Sequence, residues 1–210
     1  MAPVNAPARG DETREALLGA AHDLLATEGP GSLTVRRIAA AAGMSTMNVY
    51  SRFGGKDGVL DRLFSDGFER LARAMEAVER TGDPVEDLRR CGAAYRDFAR
   101  RWPTYYSLMF DRIVPEFRPS EAARATSLAT LQGLVDLVQR AIDEGAFAPG
   151  DAFTVACGLW AIEHGLVSLE ARTGGDDPHD AAAPFDWSST ATITLDAVLT
   201  GLRSAPHHPR

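Results

Sequence analysis

Apolar residues recur at three- and four-residue intervals along most of the chain, the period of an amphipathic helix. Leu17, Leu18, Ala21, Leu24 and Leu25 form the first such stripe, which ends at "EGPG". Val35, Ile38 and Ala39 form a short second stripe behind Thr34, a candidate N-cap, and Gly43 closes it. Ser45 is the candidate cap of a third stripe, Val49, Tyr50 and Phe53, which "GGKD" breaks. A long helix follows from Asp57 with Leu60, Leu63, Phe64, Phe68, Leu71, Met75 and Val78 on one face. Asp83-Pro84 supplies an N-cap and a first-turn proline, with Glu86 at the third position, for Leu88, Cys91, Tyr95, Phe98 and Trp102.

Pro103 restarts a short aromatic helix, "PTYYSLMF", and "VPEFRP" is a loop. From Ser120 the stripe Leu128, Leu131, Val135, Val138, Ile142 runs to Gly145. The segment from Asp151 is apolar nearly all round, with Phe153, Val155, Cys157, Leu159, Trp160, Ile162, Leu166 and Val167. A last helix starts near Asp186 or Trp187 and carries Ile193, Leu195, Val198, Leu199 and Leu202. No stretch alternates as a strand would. The expected fold class is all-α with about nine helices. The pattern divides the chain into an arm (1–12), a helix-turn-helix segment (13–56), a connecting helix (57–79), a larger helical segment (83–203) and a tail (204–210).

Charge changes this picture in one place. The chain of 210 residues is acidic, at net −7. Its first 60 residues carry six basic and six acidic side chains, so the deficit lies in the remainder. Residues 31–60 hold Arg36, Arg37, Arg52 and Lys56 against Asp57 alone. Lys56 is the only lysine in the chain. An acidic protein is repelled by nucleic acid at long range, so a DNA contact has to come from a local basic patch. This segment is the best candidate.

Two short helices joined by a glycine turn have helix-turn-helix geometry, in which the second helix enters the major groove. Ala39, Ala40 and Ala42 are small enough for close helix approach, and Gly43 turns the chain without a Cβ penalty. Ser45, Thr46, Met47 and Asn48 then occupy the first turn of the second helix, where side chains reach base edges. Asn48 can pair bidentately with adenine, and Met47 can cover a thymine methyl. Thr34, Arg36 and Tyr50 can donate to phosphates, Arg52 adds charge, and Lys56 sits at the next helix start, where backbone N–H groups also attract phosphate. Arg9 in the arm is a candidate minor-groove contact.

The string "LTVRRIAAAAGMSTMNVYSRFGGKDGVLDRLF" resembles the N-terminal domain of TetR-family transcriptional regulators. Thr34, Ile38-Ala39, Ala42-Gly43, Tyr50, Phe53, Lys56 and Leu60 carry the resemblance. It implies that Thr34, Tyr50 and Lys56 contact phosphate and that Thr46, Met47 and Asn48 lie at the groove. Met47 departs from the small or polar residue often found there, and Ser51, before Arg52, is small, which removes one possible aromatic contact. Farther on, "RRWPTYYSLMF" and "WAIEHGLVSLE" resemble the WHG-type C-terminal domain of a subset of that family.

That resemblance implies an effector-binding and dimerising C-terminal half. Tyr95, Phe98, Trp102, Tyr105, Met109, Phe110, Trp160 and His164, with Tyr106 nearby, could wall an apolar pocket for a small hydrophobic or aromatic effector. A plain hydrophobic core with tyrosine hydroxyls at its edge fits the same letters. The two-faced apolar helix from Asp151 and the small-residue strip Thr190, Thr194, Ala197, Gly201 suit a homodimer built through the last two helices. Double-stranded DNA with a palindromic operator is then the expected partner.

No catalytic set, cofactor loop or metal site is expected. "DDPHD" (176–180) and "HHP" (207–209) are the nearest to metal-binding letters, without fixed geometry. Cys91 and Cys157 read as two buried thiols of a reducing, cytoplasmic setting, with a disulfide as the alternative. Five acids among the first thirty residues and no apolar stretch there give no expectation of a secretory signal. No run is expected to be long and apolar enough to span a bilayer. The leading expectation is a ligand-responsive DNA-binding repressor. The alternatives are an all-α small-molecule-binding protein or enzyme with a purely structural helix-turn-helix, or a regulator that needs no effector.

Overall fold

The computed structural model describes residues 6–173 and 186–203, with side chains from residue 11 onward. Among these residues the chain forms nine α-helices: α1 (Ala6–Glu28), α2 (Val35–Ala41), α3 (Thr46–Phe53), α4 (Lys56–Glu76), α5 (Pro84–Arg101), α6 (Pro103–Phe110), α7 (Glu121–Asp143), α8 (Ala152–Arg172) and α9 (Trp187–Gly201). A 3₁₀ turn, Pro30–Ser32, follows α1. The all-α expectation holds; an isolated bridge between Phe147 and Arg203 is the sole β pairing among the described residues. Helix α1 begins at Ala6, inside the stretch read as an arm.

The helix ends are set by local chemistry. Thr34 caps α2, its side chain accepting from the Arg37 N–H. Asp83 Oδ1 accepts from the N–H groups of Val85 and Glu86 at the start of α5. Asp151 and Asp186 cap α8 and α9 through the N–H groups of Thr154 and Ser189. Each satisfies a donor that the first helical turn leaves orphaned.

The helices fall into two compact units. The first comprises Met1–Glu69 with Trp102–Ser127, and the second Arg70–Arg101 with Leu128–Arg210. The division cuts through α4 and α7, and residues 102–127 cluster with the N-terminal helices rather than with the segment 83–203.

In the first unit, Leu17 and Ala21 of α1, Ile38 of α2, Val49 of α3 and Leu60 of α4 are all fully buried. An aromatic chain continues this core: Phe117, Phe64, Phe68, Phe110 and Tyr106 succeed one another at ring-centroid distances of 6.1, 5.0, 5.5 and 4.9 Å. Tyr105 stacks on His22 at 4.8 Å. Gly67 lets α6 come close, since a Cβ there would lie 2.5 Å from Met109 Sδ.

In the second unit the core gathers Leu88 and Cys91 of α5, Leu137, Val138 and Ala141 of α7, Ala156 and Leu159 of α8, and Leu195 and Leu199 of α9. Both cysteines are free thiols; Cys91 is buried as expected, but Cys157 is only partly buried. Burial pushes the Cys91 thiol up to about 12, which keeps it protonated and unreactive. Leu128 and Ile193, placed on core stripes by periodicity, are instead 63% and 69% exposed. The α7 face that turns inward is that of Leu137, Val138 and Ala141, and Leu128 lies off it.

Helix α8 also corrects an expectation: its 21 residues are long and apolar enough, by length and composition, to cross a membrane. In this fold one face, with Ala152, Ala156, Leu159, Glu163, Val167 and Glu170, is buried, and Phe153 and Leu169 are exposed.

Candidate functional site

The turn between α2 and α3 is built as its letters require. Gly43 adopts φ 66°, a left-handed conformation that costs a Cβ-bearing residue about 1 kcal/mol. The Met44 N–H donates to Ala39 O at 2.8 Å and closes α2. Ile38 and Ala39 of α2 and Val49 of α3 are all buried. Gly54 at φ 73° ends α3, and its N–H donates to Tyr50 O. Arg14 of α1 places its guanidinium 5.0 Å from the Phe53 ring centroid, holding the end of α3 by a cation–π contact.

These constraints leave one side of α3 to solvent. Ser45 and Thr46 are exposed, Met47 is 70% exposed and Tyr50 55% exposed. Asn48 and Arg52 are half-buried, and Thr34 and Arg36 are exposed. Thus the residues expected at the groove share one helix and none is packed inward.

Several of these polar groups already have partners. Asn48 Nδ2 donates to Ser45 Oγ, and Arg52 Nη1 donates to Asn48 Oδ1, both at 3.3 Å. Lys56, first residue of α4, donates from Nζ to Glu116 Oε1 at 2.9 Å. That bond holds the Glu116 carboxyl below its usual range. Arg37 is gripped by both carboxylate oxygens of Glu28 at 2.6 Å. Glu116, on the loop after α6, had no signal in the local pattern, because it lies 60 residues from Lys56.

The eight aromatic, methionine and histidine positions expected around one pocket divide between the two units. Trp102, Tyr105, Met109 and Phe110 belong to the first, where Tyr105, Met109 and Phe110 join the core described above and the Trp102 ring lies edge-on to Tyr105 at 6.0 Å. Tyr95, Phe98, Trp160 and His164 belong to the second. There a cavity of about 40 Å³ is lined by Met75, Leu88, Cys91, Tyr95, Trp160 and Glu163, among others. Tyr95 and Trp160 thus face it; Tyr95 Oη lies 3.4 Å from His164 Nδ1, and the Trp160 and His164 rings are 5.9 Å apart. Phe98 is buried without lining it.

Glu163 is a residue of this site that the expected pocket wall did not include. It is 4% exposed, and its Oε2 lies 3.7 Å from Arg96 Nε. Burial pushes its carboxyl up, and the Arg96 charge pulls part of the way back. The available signal was an acid in the middle of a helix apolar nearly all round. Such a group has to find a cation or a hydrogen-bond donor inside. Among the described residues no group of three or more His, Cys, Asp or Glu side chains could hold a metal ion. The segments 176–180 and 207–209 and the Arg9 side chain lie outside the described residues.

A glycine-turned helix pair with an exposed second helix, on an all-α chain with a separate cavity-bearing unit, defines a helix-turn-helix DNA-binding regulator. Comparison with known proteins agrees. Residues 17–63 match the family described as bacterial regulatory proteins, tetR family. Residues 88–192 match the tetracyclin repressor-like C-terminal domain. The chain belongs to the TetR family and is a DNA-binding transcriptional regulator. Members of that family are typically non-enzymatic, bind DNA and usually act as dimers with small-molecule effectors.

Among solved structures, the chain is similar to a protein of unknown function from Rhodococcus sp. RHA1, at 25% identity and TM-score 0.78, covering 97% of this chain and 100% of that one. It is also similar to a TetR family transcription regulator from Marinobacter aquaeolei, at 18% identity and TM-score 0.70, covering 94% and 98%. A third is PfmR, a TetR family transcriptional regulator from Thermus thermophilus, at 21% identity and TM-score 0.65, covering 90% and 99%. The last two likenesses concern the fold alone. A Myb-like transcription factor from Fusarium sp. is 33% identical over 63 residues, spanning 28% of this chain and 16% of that relative.

Proposed function

We propose that this regulator is a repressor that binds a palindromic operator as a two-fold dimer and is released by a small, mainly apolar effector. The observation that carries the reading is the first turn of α3, where Thr46 and Met47 are exposed and Asn48 half-buried, with Tyr50 exposed farther along the same helix. Thr34, Arg36, Tyr50, Arg52 and Lys56 would hold the phosphates; Ser45, Thr46, Met47 and Asn48 would read base edges.

The dimer reading is supported by α8 and α9. Phe153, Trp160 and Leu169 of α8 and Ile193 of α9 are large apolar side chains open to solvent. Ala197 and Gly201 lie one and two turns beyond Ile193, and such small residues allow close helix approach. Two such pairs meeting across a two-fold axis would form a four-helix interface. Release then requires an effector that favours one spacing of the two reading helices over the other, since a ligand indifferent to both shifts nothing. Helix α4 is the natural lever: Lys56 is its first residue, and Met75, near its end, lines the cavity.

The test is operator affinity, on a palindromic fragment from beside the protein's own gene, with and without candidate ligands. A drop in affinity on ligand addition supports release. Equal affinity throughout would make the protein an effector-independent regulator, a second reading that the small size of the cavity favours.

A further inference from the structure

The contact between α5 and α8 is built around an ion pair that makes no hydrogen bonds. Both carboxylate oxygens of Glu163 and the Nε and Nη1 atoms of Arg96 are buried without a hydrogen-bond partner. Their 3.7 Å separation is a charge contact, too long for a hydrogen bond. The backbone makes room for the carboxylate: a Cβ at Gly92 would lie 2.5 Å from Glu163 Oε1. Nearly all buried polar side-chain atoms in folded proteins have a partner, so four together call for an explanation.

The cavity supplies one. Among the described residues, Glu163 is the only charged one lining it; around it stand Leu88, Cys91, Tyr95, Leu134 and Trp160. Arg96 already offsets the charge of the carboxylate. What Glu163 lacks on the cavity side is a hydrogen-bond donor, since the unpaired Arg96 nitrogens do not line the cavity. A carboxylate ligand would be repelled by Glu163. An ammonium would have to lose its water in an apolar cavity, beside a carboxylate whose charge Arg96 already offsets. A neutral O–H or amide N–H meets the need without adding charge. At about 40 Å³ the cavity is several-fold smaller than the roughly 300 Å³ of a pocket for a drug-sized molecule, so the body of the ligand has to be slender.

We propose that this cavity binds a slender, uncharged, mainly apolar molecule through a hydroxyl or amide N–H donated to Glu163, and that this molecule is the effector of the regulation proposed above. The inference rests on that reading for its role and on the buried pair for its chemistry. Glu163 fixes the head group, and the Trp160 and Leu134 walls select the body.

The test uses the full-length protein and four probes with one three-carbon body: 1-propanol, propanamide, propanoate and propylammonium. Calorimetry and Trp160 fluorescence report binding. The alcohol and the amide are expected to bind, at least about tenfold more tightly than either charged probe. Glu163→Gln is expected to weaken them about tenfold or more, the usual cost of losing a hydrogen bond to a charged group. The double variant Glu163→Leu with Arg96→Leu, which removes the pair together, is expected to fold and to lose the preference for neutral donors. No binding by any probe, equal binding of the four, or an unchanged affinity in Glu163→Gln would overturn the proposal, since water alone would then satisfy the carboxylate. Operator binding separates the two readings. Probe binding without operator release leaves the site standing and removes its role as effector site. Release by some other ligand, with no probe bound, does the reverse.

Discussion

Lys56 Nζ and Glu116 Oε1 lie 2.9 Å apart, so the cation at the head of α4 is held by an acid from a loop 60 residues away. If Lys56 holds a phosphate as proposed, DNA has to take it from that acid. Glu116→Gln is therefore expected to raise operator affinity, by roughly two- to fivefold, the scale of an exposed ion pair. Lys56→Ala is expected to weaken binding across all sequences and to flatten the salt dependence by about 0.9 for each phosphate left without its cation, doubled in a dimer. Affinity measured at several salt concentrations checks both. An unchanged slope in Lys56→Ala would remove Lys56 from the phosphate-binding set.

Asn48 is expected to act through its amide. In the free protein that amide is oriented by Ser45 Oγ on one side and Arg52 on the other. Asn48→Ala should cost about 1–3 kcal/mol at one base position and leave the other positions unaffected. Competition binding with single-base operator variants reads this directly. A uniform loss over all variants would mean that Asn48 positions Arg52 on the backbone and reads no base.

The parts of this fold that were legible in the sequence are those decided within a few residues. Thr34 and Asp83 cap helices as their letters suggest, because a short polar side chain beside an apolar stripe has orphaned N–H groups within reach, and Asp151 and Asp186, read as helix starts, cap theirs too; Ser45 stands at the cap position of α3, but its side chain makes no capping bond. Gly43 was legible because its turn demands a left-handed backbone. What escaped depends on partners distant in sequence. Tyr105 and Met109 have the composition of a pocket wall, but their neighbours are His22 and Gly67. Leu128 and Ile193 fit the helical period, yet periodicity does not tell a core from a surface left for a second chain. Glu163 stands out locally as an acid amid apolar residues, but the cation that explains its burial, Arg96, lies on another helix.

The exposed apolar side chains of α8 and α9 give a prediction about assembly. Ile193 is 69% exposed and Phe153 53% exposed. Ile193→Asp is expected to convert the protein to monomers without loss of helicity, since so exposed a side chain adds little to the core of its own subunit. Sedimentation velocity and circular dichroism check the two halves. Operator affinity should fall together with dimerisation, because a monomer engages one half-site only. A dimer unaffected by Ile193→Asp would place the interface elsewhere.

Asp87 gives a prediction in pH. It is 1% exposed and accepts from the Thr81 N–H at 2.8 Å, the Thr81 hydroxyl at 2.9 Å and Arg140 Nη1 at 2.7 Å. Burial pushes its carboxyl up, but the bonds from Thr81 and Arg140 outweigh it and hold the group below the usual carboxylate range. A carboxyl whose pKa is lower in the folded than in the unfolded state stabilises the fold above its ordinary pKa. That contribution is lost as pH falls through the folded value. Asp87→Asn is therefore expected to cost about 2 kcal/mol at pH 7, the worth of a hydrogen bond to a charged group. The gap between wild type and variant should stay constant down to about pH 4 and close as pH falls further. Urea unfolding midpoints measured from about pH 7 to about pH 3 give the profile. A gap that persists unchanged at the acid end would mean that the carboxylate charge contributes nothing and that the loss in Asp87→Asn comes from geometry alone.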